Sequence, residues 1–281
     1  MTIKMIASDM DGTFLSGEDS YDQEHFARVL SQLKEKGVRF VAASGRQVAN
    51  LKELFEPMAA YGLLDQIDFV GSNGSVVTTP GQELYAVYLT PEQIRKVIDW
   101  NALNPQSADN VIVLAGINGT YISNHVSQEF KEILSMFYPN VVQVEKLLKI
   151  DDKILGVSFV WPHEEVQEHV QQLEEVFGGE VHVTGSGFGS VDVLPKGVDK
   201  AAALEVLQDY YNVTDNEVMV FGDNTNDLEM LAKYDNSYLM PNAMPLMHDA
   251  HKRLALKTNV QDGVLATIES ELQLDNQVEM D

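Results

Sequence analysis

Two rhythms alternate along the chain. Short apolar runs that end in glycine, serine or aspartate are separated by longer stretches whose apolar residues recur every three or four positions. The first run predicts a buried strand over Lys4 to Ser8 and leads into Asp9-Met10-Asp11-Gly12-Thr13. Asp22 to Lys36 then carries Phe26, Val29, Leu30 and Leu33 at helical spacing, and Gly37 closes that helix. Val38 to Ala43 predicts a second strand, followed by Ser44-Gly45-Arg46 and a helical pattern from Gln47 to Met58. Ile67 to Val70 predicts a third strand ending in Gly71-Ser72-Asn73-Gly74, and Val76 to Thr79 opens a hairpin-like passage to Pro80-Gly81.

From about Leu84 the texture changes, because pairs of strands now lie between single helices. Thr90-Pro91-Glu92 reads as N-cap, first-turn proline and first-turn acid of a helix with Ile94, Val97 and Ile98 on one face. Val111 to Ala115 and Tyr121 to Ser123 flank Asn118-Gly119, which suits a tight hairpin. Ser127 caps a helix with Phe130, Ile133, Leu134 and Phe137 along one side. Val141 to Val144, Ile154 to Trp161 and Glu180 to Thr184 predict strands, and His163 to Phe177 an amphipathic helix. This order predicts a two-layer module with its helices on one face of an antiparallel sheet.

Gly185-Ser186-Gly187-Phe188-Gly189 precedes a strand and not a helix, so it reads as a hinge and not as a phosphate-cradling loop. Beyond it the alternation resumes: strand Ser190 to Leu194, helix Asp199 to Tyr211, strand Val218 to Phe221, helix Asn224 to Lys233, strand Ser237 to Met240, a short strand Leu254 to Leu256 and a last helix Gln261 to Leu272. The expected fold class is therefore α/β: a doubly wound, mostly parallel Rossmann-like core sheet from residues 1–83 and 188–281, with an inserted α+β cap domain at 84–187.

Composition narrows the function. With 281 residues, 44% of them apolar, the chain has room for one large core or two smaller ones. Its formal charge of -24 argues against nucleic acid and against an anionic membrane surface, so any anionic ligand must be held locally. No apolar run reaches the length of a membrane span, no basic-then-apolar leader pattern opens the sequence, and a cytoplasmic location is expected. The absence of cysteine excludes disulfides and thiolate metal sites. Glu269 to Asp281 carries five acids and no base, which reads as a helix end running into a loose tail.

The candidate chemistry sits where strands end. Asp9 and Asp11 leave the first strand at the sheet edge where open α/β folds place their ligands. They could be a solvated polar loop, or they could hold a hard divalent cation such as Mg2+, which would relieve their mutual repulsion. Gly222-Asp223-Asn224-Thr225-Asn226-Asp227 again puts acids at the end of an apolar run, either as an N-capped helix start or as further cation ligands. Several carboxylates at one edge call for a basic partner. Lys200 meets that demand, since it lies in a first helical turn where the dipole disfavours a cation, whereas Lys196 reads as a solvated loop lysine. Ser44-Gly45-Arg46 is either an ordinary cap or a phosphate-binding turn, and Asn73-Gly74 either a turn or a ligand contact. His248 and His251 lie one turn apart without a third zinc ligand.

Taken together, these motifs resemble the haloacid dehalogenase superfamily of phosphatases, specifically Cof-type members with a large α/β cap inserted between the second and third motifs. Asp9-Met10-Asp11-Gly12-Thr13 matches the first motif, Ser44-Gly45-Arg46 the second, Lys200 within Lys196-Gly197-Val198-Asp199-Lys200 the third, and Gly222 to Asp227 the fourth. Asn73-Gly74 and Pro241-Asn242-Ala243 look like secondary signatures, and Gly187 to Ser190 with Leu194 to Leu204 looks like the bacterial sugar-phosphatase branch. Asp199 departs mildly from the serine or asparagine common there.

The resemblance implies Asp9 as nucleophile, Asp11 as general acid and base, and Lys200 bridging nucleophile and phosphate. It implies Mg2+ held by Asp9, the backbone carbonyl of Asp11 and Asp223, with Asp227 close by or bound through water. Ser44, Gly45 and Asn226 would donate to phosphate oxygens, with Arg46 and Asn73 also on the substrate side. The implied ligand is a small phosphorylated metabolite, most simply a sugar phosphate, and no protein partner is predicted. A phosphomutase and a non-catalytic phospho-ligand-binding regulator are the alternatives. An EF-hand is not, because Phe14 and Leu15 fall where such a loop needs oxygen ligands.

Overall fold

The computed structural model describes residues 2–17, 20–104, 110–161, 166–186, 189–249 and 252–275. These fold around two sheets. The first sheet takes β1 (Met5–Ser8), β2 (Arg39–Ala43), β3 (Ile67–Gly71), β4 (Val76–Thr79) and β5 (Gln82–Ala86). The second takes β6 (Val111–Gly116), β7 (Thr120–Ser123), β8 (Val141–Val144), β9 (Ile154–Val160), β10 (Val181–Ser186) and β11 (Ser190–Pro195). The chain then completes the first with β12 (Val218–Gly222), β13 (Asn236–Leu239) and β14 (Arg253–Leu254). Helices α1 (Gln23–Glu35) and α2 (Val48–Leu54) precede the second sheet, α3 (Pro91–Leu103), α4 (Gln128–Phe137) and α5 (Gln167–Phe177) belong with it, and α6 (Lys200–Tyr211), α7 (Leu228–Lys233) and α8 (Gly263–Leu272) follow.

The core sheet runs β14-β13-β12-β1-β2-β3-β4-β5, parallel through β3 and closed at one side by the antiparallel β4 and β5. Strands covered on both faces must be apolar at every position, and β1 and β12 are buried throughout. Met5 and Ala7 pack with Ala203, Leu204 and Leu207 of α6 and Leu231 of α7 on one face. Ile6 packs with α1 and α8 on the other, where Phe14, Phe26 and Phe40 meet edge-on or tilted at 4.9 to 5.4 Å. Phe26 is fully buried, and truncating such a ring to alanine costs about 3–5 kcal/mol. Helix α1 begins at Asp22, whose carboxylate accepts the His25 N–H at 2.9 Å, and ends at Gly37 in the left-handed region. Because β1 pairs with β12 on one side and β2 on the other, the strand order reverses at β1, and a crevice opens at the carboxyl ends there.

The cap sheet runs β10-β11-β9-β6-β7-β8 and is antiparallel except for β7 with β8. Three expectations about it need correction. First, Gly185 to Gly189 is not a hinge into the core, and Ser190 to Leu194 is not a core strand: β10 and β11 form one hairpin, and β11 also pairs with β9. β10 ends at Ser186 and β11 begins at Ser190, and 187 and 188 between them lie outside the described residues. The chain therefore returns to the core after Pro195, not at 188. Second, Leu84 does not open the cap, since β5 pairs with β4 at the edge of the core sheet and the crossing follows Ala86. Third, the cap helices do not share one face. Val97 of α3 and Leu173 of α5 pack with Leu114, Phe159 and Val193, whereas Leu134 of α4 packs with Val113 and Ile122, whose side chains leave the opposite face.

Helix α3 starts with a complete capping box between Thr90 and Gln93, and α4 with the Ser127 side chain accepting from Phe130. Cap and core are joined by hydrogen bonds as well as by the chain: Ser75 Oγ donates to the Leu155 carbonyl at 3.0 Å, Gln47 Nε2 to Thr120 Oγ1 at 3.2 Å, and Thr225 Oγ1 to the Gly185 carbonyl at 2.7 Å. Among the described residues no helix is long and apolar enough to cross a membrane. Of the histidine pair, His251 lies outside the described residues.

Candidate active site

Four chain segments meet in the crevice at the end of β1. The β1 strand delivers Asp9, the β12 strand delivers Asp223, and the 3-10 turn Thr225–Asp227 carries Asp227 underneath them. Lys200, the first residue of α6, is fully buried, and its ammonium donates to Asp9 Oδ1 at 2.6 Å and Asp227 Oδ1 at 2.7 Å. Lys196 is exposed in its loop, as read from the sequence. The other oxygen of Asp227 accepts the backbone N–H groups of Asp223 and Asn224 at 2.9 and 3.1 Å, so this side chain folds the loop as well as binding the cation. Thr13 Oγ1 donates to Asp223 Oδ1 at 2.7 Å.

Gly12 is required here. Its φ is +80°, and a Cβ on it would lie 2.4 Å from Asp223 Oδ2. Gly222 is equally constrained, since a Cβ there would meet Asp227 at 2.6 Å. Side-chain oxygens of Asp9, Asp223 and Asp227 come within 4.8 Å of one another.

Asp11 goes elsewhere. Its carboxylate is held by Arg46 through two bonds, Nε to Oδ2 at 2.8 Å and an Nη to Oδ1 at 2.6 Å. The pairing joins the first motif to the second in a planar fork. Ser44 and Gly45 line the same crevice, with Ser44 Oγ accepting the Arg46 N–H at 3.2 Å. Next to them the backbone turns sharply: Ser72, Asn73 and Gly74 all have positive φ, a conformation that costs about 1–3 kcal/mol at a non-glycine residue. It is held by Ser72 N–H to the Arg46 carbonyl at 2.8 Å and Asn73 N–H to the Ser44 carbonyl at 3.0 Å. Asn73 then spends both ends of its amide on the protein, donating to Asp192 at 2.7 Å and accepting from Asn226 at 3.0 Å.

The electrostatics are those of a site short of positive charge. Burial pushes the Asp9 carboxyl well above the usual range, Lys200 opposes that, and Asp227, Asp223 and Asp11 reinforce it. Burial and the neighbouring Asp227 push Asp223 up to about 7. Burial works against the Lys200 ammonium, but Asp227 and Asp9 outweigh it and its pKa rises. Three buried carboxylates around one ammonium offer hard oxygen donors and an unbalanced charge, which fits a divalent cation.

Residues 6–268 match the haloacid dehalogenase-like hydrolase family. The chain belongs to the haloacid dehalogenase-like hydrolases. It is 32% identical over 97% of both chains to the 5-amino-6-(5-phospho-D-ribitylamino)uracil phosphatase YbjI of Escherichia coli. It is 26% identical to the HMP-PP phosphatase of Klebsiella pneumoniae, covering 86% of this chain and 85% of that one. Among solved structures, SMU.1108c from Streptococcus mutans superposes with a TM-score of 0.89 at 33% identity, covering 97% of this chain and all of that one. The chain is an enzyme of the family's phosphoric monoester hydrolase type.

Above the acids, this haloacid dehalogenase-like hydrolase has a partly open cavity of about 580 Å³ between core and cap. Its far wall is apolar, built from Phe130, Ile133 and Phe137 of α4 with Trp161 and Val166. Nothing in the amphipathic pattern of α4 shows that it faces the site, because the pattern marks an apolar side without saying which face of the sheet that side covers. Thr13 and Asp192 were also missed. Asp192 had a signal, since it alternates with Val191 and Val193 and shares a strand face with Ser190.

Proposed function

We propose that this chain is a Mg2+-dependent phosphatase that hydrolyses small phosphorylated metabolites through an aspartyl-phosphate. One observation carries the reading: the Lys200 ammonium clamped between Asp9 and Asp227, with Asp223 beside them, at the polar end of the cavity. Lys200 occupies one oxygen of Asp9 and orients the other, which attacks phosphorus while the bond to the leaving oxygen breaks. Asp11 gives that oxygen its proton and takes one from the water that next attacks the phosphoryl-aspartate, so inorganic phosphate leaves and Asp9 is restored. For both steps the Asp11 carboxylate turns from the Arg46 guanidinium towards the leaving group. Backbone and side-chain donors of Ser44, Gly45 and Asn226 hold phosphoryl oxygens, and Arg46 supplies positive charge nearby. Asp9, Asp223 and the Asp11 carbonyl would hold Mg2+, with Asp227 bound directly or through water; its chemistry there is to offset charge on the phosphoryl group. The cap covers the leaving group and excludes water.

A sugar phosphate is the simplest substrate. A second reading, a phosphate ester whose leaving group carries a flat heterocycle, is supported by the apolar wall of α4 and Trp161, which offers a polyol little to bond with. The name of the ribitylaminouracil phosphatase points the same way. A phosphate-release screen over both classes, with and without Mg2+, tests reaction, metal and substrate together. The expected result is Mg2+-dependent release of stoichiometric phosphate, abolished by Asp9→Asn in a protein that still folds. Near-normal turnover by Asp9→Asn would overturn the covalent route, and return of phosphate to a second hydroxyl of the substrate would indicate a mutase.

A further inference from the structure

We propose that Asp192, carried by cap strand β11, is a positioning residue that sets which way the amides of Asn73 and Asn226 face at the phosphate end of the site. The inference rests on the phosphatase reading above. Asp192 is 7% exposed, and its partners are all neutral donors: Asn73 Nδ2 at 2.7 Å, Ser186 Oγ at 2.8 Å and Ser190 Oγ at 3.3 Å. A buried carboxylate without a cationic partner is costly, and a neutral side chain could accept these same bonds. What only a carboxylate does is refuse to donate.

That refusal propagates. Because Asp192 can only accept, Asn73 must turn its nitrogen towards β11 and its oxygen towards Asn226. Asn226 must then turn its own nitrogen towards Asn73, which leaves its second N–H for a ligand in the cavity that Asn226 lines. A flipped Asn226 would set two carbonyl oxygens against each other. The Asn73 amide also lies against Gly45, where a Cβ would approach its Oδ1 to 3.2 Å, so the same side chain borders the second motif. The bond from Asn73 to Asp192 spans core and cap. The donor set for phosphate is thereby complete only when β11 sits where this structure has it.

The test uses the full chain with Mg2+ and p-nitrophenyl phosphate as substrate, and reads kcat/KM together with competitive inhibition by inorganic phosphate. Asp192→Ala is expected to lose about 10- to 100-fold in kcat/KM and to weaken phosphate inhibition in step, since one buried amide loses its partner and its orientation. Asn73→Asp, which sets two carboxylates face to face, is expected to lose more. The exchange Asp192→Asn with Asn73→Asp is expected to recover most of that loss, because the amide now on β11 donates to a carboxylate that still accepts from Asn226. A packing role alone predicts no such recovery and no change in phosphate inhibition beyond the loss of folded protein seen by circular dichroism. The proposal is overturned by an exchange no better than Asn73→Asp, or by Asp192→Ala within twofold of the parent in both readouts. If the parent chain releases no phosphate from any ester, the phosphatase reading fails instead, and calorimetric binding of inorganic phosphate to the same variants still decides the role of Asp192.

Discussion

Replacing Lys200 with methionine keeps the length of the side chain and removes the charge that Asp9 and Asp227 share. At an effective dielectric of about 20, each contact of 2.6 to 2.7 Å corresponds to roughly 6 kcal/mol of attraction, offset by desolvation of several kcal/mol for each ion. The intact cluster thus stands near balance. Without the ammonium the attraction goes but the burial stays, and such deletions cost about 3–5 kcal/mol. The protein can escape by taking up a proton on one carboxylate, which from the ordinary value of 3.8 costs about 1.4 kcal/mol per pH unit, or roughly 6 kcal/mol at about pH 8. The destabilisation therefore has a signature: it is largest at high pH and fades as pH falls towards about 5. Thermal melting of the metal-free proteins across that range is the assay. At about 2 °C for each kcal/mol in a chain of this size, Lys200→Met is expected to melt roughly 6 to 10 °C below the parent at about pH 8. A deficit that is absent, or that stays constant with pH, would refute the claim that charge and not packing holds Lys200 in place.

Gly12→Ala is expected to displace Asp223 and cut turnover about 100-fold, whereas Gly81→Ala, at the same φ of +80° but with nothing within 4 Å of the new Cβ, costs about 1 kcal/mol of stability and leaves activity intact; equal activities would refute the steric argument. With Asp223 pushed up to about 7, the folded metal-free protein holds a proton that the unfolded chain has lost between about pH 4 and 7. Metal-free stability therefore falls as pH rises through that window, while Mg2+ affinity measured by calorimetry rises about tenfold per unit, a slope that Asp223→Asn should flatten. Arg39 begins β2, at the end of the sheet away from the site, and its guanidinium bonds the fully buried Asp68 at 2.8 and 3.0 Å. Arg39→Ala is expected to cost about 3 kcal/mol in denaturant titrations without changing kcat, and a loss of kcat would contradict this. Because the chain carries a net charge of -24, kcat/KM for a phosphate ester at fixed free Mg2+ should rise with ionic strength up to about 0.2 M, and a fall would show that local cations dominate approach.

The core was legible because its strands are buried on both faces and so appear as unbroken apolar runs, with the polar residues of the crevice at the ends of β1, β2 and β12. Asp9, Ser44, Asp223 and Lys200 were readable for that reason: the strand or helix that delivers each one also marks its position. The pairing partner of a strand leaves no such mark. Ser190 to Pro195 reads as well in a parallel core as in an antiparallel cap, and only the bonds to β10 and β9 assign it. Likewise Pro80-Gly81 announces a turn but not that Gln82–Ala86 stays with the core sheet. The fork between Arg46 and Asp11 joins side chains 35 positions apart, and the bond from Asn73 to Asp192 joins side chains 119 apart, so neither has a local signature.

A pocket that must bind a phosphate dianion inside so acidic a protein raises the question of order. Arg46 and Asp11 neutralise each other, and Lys200 offsets one of the three remaining carboxylates. When all three are ionised, two negative charges are left among Asp9, Asp223 and Asp227, close enough that adding a dianion would set like charges together at a few ångströms, at several kcal/mol for each pair. On the proposed function, a divalent cation held by the same carboxylates would cancel that charge, and the donors of Ser44, Gly45 and Asn226 would then meet a phosphoryl group without opposition. On the proposed Mg2+-dependent function, metal and substrate would tighten each other by the same factor, since the coupling between two sites is reciprocal. The carboxylates and Lys200 belong to the core sheet edge, and on the inference above the cap strand β11 completes the phosphate donors through Asn73. On the proposed function, discrimination among esters would fall to the inner face of the cap, where α4 and Trp161 line the cavity.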